Sequence, residues 1–70
     1  MFVKTRQLKT NKIYKRAVKL SNEEFLYGET FFVLEKIIPS GPKIFLFKVL
    51  TKEGIEYYYF LVKAEFEITS

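Results

Sequence analysis

Residues 28–68 read GETFFVLEKIIPSGPKIFLFKVLTKEGIEYYYFLVKAEFEI, in which three apolar runs of strand length are separated by turn residues. The runs cover residues 29–38, 43–51 and 55–63, and the turns between them cover residues 39–42 and 52–54. Phe, Tyr, Val and Ile crowd the runs, a composition that favours pleated strands over helix. Residues 64–68 add a turn and one more brief strand. The sequence therefore predicts a continuous antiparallel meander.

The side chains of this meander alternate between two faces. The predicted core face of the third run and the tail carries Tyr58, Phe60, Val62, Ala64, Phe66 and Ile68. On the second run Phe45, Phe47 and Val49 share one face, and on the first run Phe31 and Val33 share one face. The opposite face is also apolar, with Ile55, Tyr57, Tyr59 and Leu61 on the third run. A single sheet with one wet face should alternate apolar and polar residues. The sheet is therefore expected to curl into a small barrel or to have its second face covered by the N-terminal segment or by another chain.

The length and composition predict one small domain over residues 1–70. A 70-residue chain without disulfides is near the lower limit for an independent core, so a homodimer is a reasonable expectation. No apolar run approaches the roughly 18 residues of a membrane span, which argues against a membrane partner. The chain has no cysteine and no secretory signal pattern, so a cytoplasmic location is expected.

The residues that most enzymes need are missing. The sequence contains no His, Cys, Asp or Trp. Metal sites built on nitrogen or sulfur ligands and nucleophiles activated by His are therefore excluded. Paired carboxylates such as Glu65 and Glu67 are more often solvated than convergent, and the three glycines form no phosphate loop. We expect no catalytic activity, no metal and no cofactor.

The N-terminal segment, residues 1–27, differs in charge from the meander, residues 28–68. Residues 1–20 carry seven basic and no acidic side chains, whereas residues 21–70 carry five Lys and eight Glu. Lys12, Lys15, Arg16 and Lys19 are the candidate binding residues, for phosphates or for an acidic protein surface. The alternative is a solvated basic face steadied by Glu side chains of the same fold.

The secondary structure of this segment is ambiguous from sequence. Residues 2–8 can form an edge strand. Residues 13–20 fit a helix capped by Thr10 or Asn11, and they fit a strand equally well. Ser21 and Glu24 have capping-box spacing, and Gly28 suits a C-cap or a sharp turn, so a helical turn or a structured loop is expected over residues 22–27.

Several short motifs carry a resemblance to a known family. They are GETFFV at residues 28–33, KEG at residues 52–54, KAEFEI at residues 63–68 and the opening MFVK at residues 1–4. In this order they resemble the small SH3-like β-barrel proteins of phages and Gram-positive bacteria. The chain departs from that pattern in the basic insert between Leu8 and Phe25 and in the turn at residues 39–42. The resemblance implies an SH3-like barrel and a binding or regulatory module of mobile-element origin.

Two functions compete on these observations. The first is a protein-binding module, such as a phage inhibitor or adaptor acting on a host or defence protein. The second is a nucleic-acid binder whose basic segment contacts phosphates while Tyr57 and Tyr59 stack on bases. Against the second, Glu53 and Glu56 are close in sequence to the tyrosines and would repel a phosphate backbone. The tyrosines can also be explained by packing against the N-terminal segment.

Overall fold

The structure is a computed structural model that describes residues 1–20, 24–37, 41 and 43–69. Its elements are β1 (Phe2–Lys4), a 3₁₀ turn (Thr5–Gln7), β2 (Ile13–Lys19), β3 (Phe25–Ile37), β4 (Ile44–Thr51), β5 (Gly54–Leu61) and β6 (Glu65–Ile68). The six strands form one antiparallel sheet in the order β1-β6-β2-β3-β4-β5. The prediction of a mainly β antiparallel meander is thus confirmed. Of the two expected shapes the curled meander is present, because β1 and β5 are free edges and the sheet does not close into a barrel.

The core lies on one face of the sheet, which we call the inner face. Its buried residues include Tyr14, Phe31, Phe47, Phe60 and Phe66, as the alternation predicted for the last two. The rings of Phe60 on β5 and Phe66 on β6 lie 4.7 Å apart, although β2, β3 and β4 separate these strands in the sheet. Such contact requires strong curling, which encloses the core on the concave side.

The 3₁₀ turn helps to hold the curled ends together. The hydroxyl of the fully buried Thr5 donates a hydrogen bond of 2.6 Å to the carbonyl oxygen of Leu61, at the end of β5. On the same side, Lys36 Nζ donates to the carbonyl oxygen of Arg6 at 3.2 Å. The expected edge strand over residues 2–8 therefore ends at Lys4, where the chain turns to reach the far side of the sheet.

Residues 13–19 form a strand, not a helix, because β2 has partners on both sides. It pairs with β3 and with β6, so its backbone groups are satisfied within the sheet. Asn11 is not a helix cap. It has φ 63°, a left-handed conformation that Asn tolerates better than most residues, in the turn that precedes β2. The N-terminal segment thus extends the sheet instead of covering it.

Gly28 lies inside β3, not at a helix end or a sharp turn. The register between β2 and β3 shifts near this point, where Lys15 faces Thr30 but Ala17 faces Tyr27. A Cβ atom on Gly28 would lie 3.3 Å from Arg16 Cβ, so the glycine permits a close approach at the bulge. The helical turn expected over residues 22–27 is absent from residues 25–27, which belong to β3; residues 22 and 23 lie outside the described chain.

Gly54 has the positive φ that its turn position predicts, at 113°. We expect Gly54→Val to destabilise the protein by at least about 1 kcal/mol, because side chains with a Cβ rarely adopt this conformation. In a domain of this size that loss corresponds to a fall of roughly 4–8 °C in melting temperature. Gly41→Val is the control, since Gly41 has no positive φ and no described atom lies within 4 Å of its added Cβ. Equal melting temperatures for the two variants would contradict the strained-turn assignment.

Candidate functional site

The outer face of β4 and β5 carries an exposed group of large apolar side chains, which we call the apolar patch. The patch consists of Ile44, Leu50, Ile55, Tyr57, Tyr59 and Leu61, each between 39% and 66% exposed. The register joins them into one surface, because Ile44 faces Leu61 and Leu50 faces Ile55 across the two strands. Taking roughly 200 Å² for each side chain when fully exposed, the six expose on the order of 600 Å². That area is at the upper end for a monomer surface without a partner.

Tyr57 and Tyr59 occupy the middle of the patch, on β5. They are 57% and 66% exposed, and packing of these rings under the N-terminal segment, one of the sequence interpretations, does not occur. Across β4, Tyr57 faces Lys48 and Tyr59 faces Leu46, both half-buried. Lys48 in turn faces Glu35 on β3. The surroundings of the tyrosines are therefore apolar and nearly neutral.

Glu56 does not point towards the tyrosine pair, contrary to the sequence interpretation. Its Oε2 lies 3.0 Å from the hydroxyl of Thr51, a buried residue, and the hydroxyl donates this bond. The same hydroxyl oxygen accepts a bond from the backbone N–H of Glu53 at 3.1 Å. Burial raises the pKa of Tyr58, and the nearby carboxylate of Glu56 raises it further. Glu56 thus faces the inner side with Tyr58, and it gives no repulsion at the patch.

The four residues of the predicted basic site do not lie on one face of the sheet, because adjacent residues of β2 point to opposite faces. Lys15 lies on the outer face, where its Nζ is 3.4 Å from Glu67 Oε1 and 4.2 Å from the ring centre of Tyr27. Arg16 lies on the inner face, with its guanidinium 6.0 Å from the ring centre of Phe66. Its Nε is buried and has no hydrogen-bond partner among the described residues. These two cations serve the packing of the sheet.

Lys12 and Lys19 lie at opposite ends of the same strand region, both exposed. Lys12 is in the turn before β2 and borders a groove of about 400 Å³, which is lined by Met1, Val3, Gln7, Lys9, Lys12, Tyr14 and Ile68. Lys19 is the last residue of β2 and faces Phe25. The four predicted cations therefore form no single surface. They are also separated from Tyr57 and Tyr59 by β3 and β4, about 14 Å along a flat sheet.

A second aromatic cluster on the outer face was not predicted from the sequence. Phe2 stacks on Phe25 with ring centres 4.5 Å apart, and Phe25 lies 6.2 Å from Tyr27. Ala17, opposite Tyr27, is buried although its face is the outer one. The bulge near Gly28 changes the alternation of β3, so a regular count of faces misplaces Phe25 and Tyr27. A glycine inside an apolar run was the available signal for that bulge.

None of three comparisons, with protein-family models, with curated proteins and with solved structures, gives a match for this chain. Within the described ranges, no group of three or more acidic side chains is placed to hold a metal ion. The same residues include no helix with the length and apolar character needed to cross a membrane. The apolar patch on β4 and β5 is therefore the candidate functional site.

Proposed function

We propose that the protein is a non-catalytic protein-binding module that contacts its target through the apolar patch. The observation that carries the proposal is the exposure of Tyr57 and Tyr59 at the centre of a contiguous apolar surface. Tyrosine is enriched at the energetic centres of protein interfaces because its ring buries a large area at a small cost in side-chain entropy. The resemblance to SH3-like proteins implies a binding or regulatory module of mobile-element origin. Small size and the apolar patch favour a cytoplasmic inhibitor or adaptor that acts on a host or defence protein.

The charge around the patch also supports a protein target. Lys48, opposite Tyr57, is the cation at the middle of the apolar patch, and Glu35 faces it from β3. An interface core depleted of charge and rich in Tyr, Ile and Leu fits another folded surface or an extended peptide. A nucleic-acid backbone requires several cations that track successive phosphates.

Nucleic-acid binding is the second candidate, and one observation favours it. Tyr57 and Tyr59 are exposed at positions i and i+2 of one strand, an arrangement that can offer stacking faces to successive bases. Lys48 beside Tyr57 would supply a phosphate contact. The dispersal of Lys12, Lys15, Arg16 and Lys19 around β2 weighs against this function.

A fluorescence-anisotropy titration separates the two candidates. We expect no binding of labelled single- or double-stranded oligonucleotides at about 50 µM protein in low salt, since Lys12, Lys15, Arg16 and Lys19 do not form one surface. Binding would contradict the protein-binding proposal if the logarithm of the association constant falls with the logarithm of salt concentration, at a slope of about 0.7–0.9 per phosphate contact. Tyr57→Ala and Lys48→Ala, compared with the Leu26→Ala control, would then locate the nucleic-acid site.

A further inference from the structure

The two edges of the sheet differ in how well they are protected against pairing with another strand. β1 has three residues, ends in Lys4 and is followed at once by the 3₁₀ turn. β5 has eight residues, all paired with β4 without a bulge. It contains no Pro, Lys or Arg, and its single charged residue, Glu56, is hydrogen-bonded to Thr51. Natural sheets protect exposed edges with short strands, charges, Pro or bulges. Of these devices β5 has only the charge of Glu56, which lies on the inner face, and its outer face has none.

Within the described part of the chain, the free edge of β5 presents unpaired backbone N–H and C=O groups along most of its length. Among the described strands, only β4 pairs with it. The Thr5 hydroxyl reaches only its last residue, Leu61. On the outer face this edge is bordered by Ile55, Tyr57, Tyr59 and Leu61, which would gain cross-strand contacts with similar side chains. A strand added at this edge should therefore carry apolar and aromatic side chains on its outer face.

We propose that the strand that fills this edge is β5 of a second copy of the chain. An antiparallel pair of identical strands has a two-fold axis perpendicular to the sheet, which closes the assembly as a dimer. Directly opposite residues must share a face, so residue numbers that pair must have an even sum. Within Gly54–Leu61, two registers then pair seven residues of each copy, one centred on Tyr57 and one centred on Tyr58. The dimer joins two six-stranded sheets into one continuous sheet.

Both registers give favourable neighbours on the outer face. Centring on Tyr57 places Tyr57 opposite its own copy and Ile55 opposite Tyr59. Centring on Tyr58 places Tyr57 opposite Tyr59 and Ile55 opposite Leu61. Neither places Glu56 opposite Glu56, so like charges do not meet across the axis. The pairing uses the backbone edge and leaves the outer face of the apolar patch open, so the dimer does not depend on the function proposed for that face.

Sedimentation equilibrium of the isolated protein tests this dimer without any target. We expect a dimer at about 50 µM protein and a dissociation constant raised by at least about tenfold in Tyr57→Lys, because two like charges then meet near the axis. Leu26→Lys is the matched control, since Leu26 is 61% exposed but lies on β3, away from the proposed interface. The dimer dissociation constant of this variant should equal that of the unmodified protein. Circular dichroism melts establish that both variants remain folded.

Single-cysteine variants give the register, because the chain has no cysteine of its own. Directly opposite Cβ atoms lie about 4.5–5.5 Å apart, close enough for a disulfide after a small adjustment. We expect rapid oxidation to a disulfide dimer in Tyr57→Cys or in Tyr58→Cys, and none in Leu26→Cys. A monomer at about 50 µM protein would overturn the proposal. So would a dimer that Tyr57→Lys leaves intact and that neither cysteine variant cross-links.

Discussion

Phe47→Ala is expected to abolish the cooperative thermal transition of the protein. Phe47 is fully buried on β4, and its ring centre lies 5.9 Å from that of Phe60 on β5. Removing a buried Phe ring costs about 3–5 kcal/mol, from lost transfer free energy and from the cavity left behind. A core in a chain of this length rarely supplies more than roughly 3–5 kcal/mol, so the loss is comparable to the whole stability of the fold. The measurement is a circular dichroism melt.

Two control variants define the result. Phe47→Leu keeps an apolar side chain in the same place and should retain a transition at a lower temperature. Leu26→Ala removes a side chain that is 61% exposed and should change stability by no more than about 0.5 kcal/mol. A melting temperature of Phe47→Ala equal to that of the unmodified protein would show that the core is not centred on β4 and β5.

Truncating both tyrosines of the apolar patch is expected to remove target binding and leave the fold intact. Tyr57 and Tyr59 are mostly exposed and contribute little to the inner core, so Tyr57→Ala/Tyr59→Ala should melt near the temperature of the unmodified protein. At an interface centred on these rings, the double variant should lose at least about 2 kcal/mol of binding free energy, roughly thirtyfold in affinity. Raised salt should slow association modestly and change affinity little, since Lys48 and Glu35 leave the patch nearly neutral.

The core was predictable from sequence wherever the strands are regular. Alternation in residues 55–61 placed Phe60 inside and Tyr57 and Tyr59 outside, and Gly54 marked the turn, because these features depend on neighbouring residues. Residues 13–19 were ambiguous, since Ile13, Tyr14, Ala17 and Val18 satisfy both helical and strand spacing. Pairing with β6, about fifty residues away in the sequence, decided the outcome, and no local pattern encodes such a partner.

The candidate site was predicted in part. Tyr57 and Tyr59 were identified from the sequence, but the apolar patch around them depends on the register that sets Ile44 and Leu50 beside β5. The basic residues were grouped by sequence proximity, and the strand then divided Lys15 from Arg16. Charge along a chain becomes a binding surface only where the secondary structure brings the side chains to one face.

Affinity capture with matched surface variants tests the protein-binding account most directly. The immobilised protein, the Tyr57→Ala/Tyr59→Ala variant and the Leu26→Ala control are incubated with lysate of the source cells, both untreated and nuclease-treated. Retained proteins are quantified by mass spectrometry. The account predicts at least one protein retained equally by the unmodified protein and the control, and depleted roughly thirtyfold on the double variant. Equal retention on all three, or retention that nuclease treatment abolishes, would contradict it.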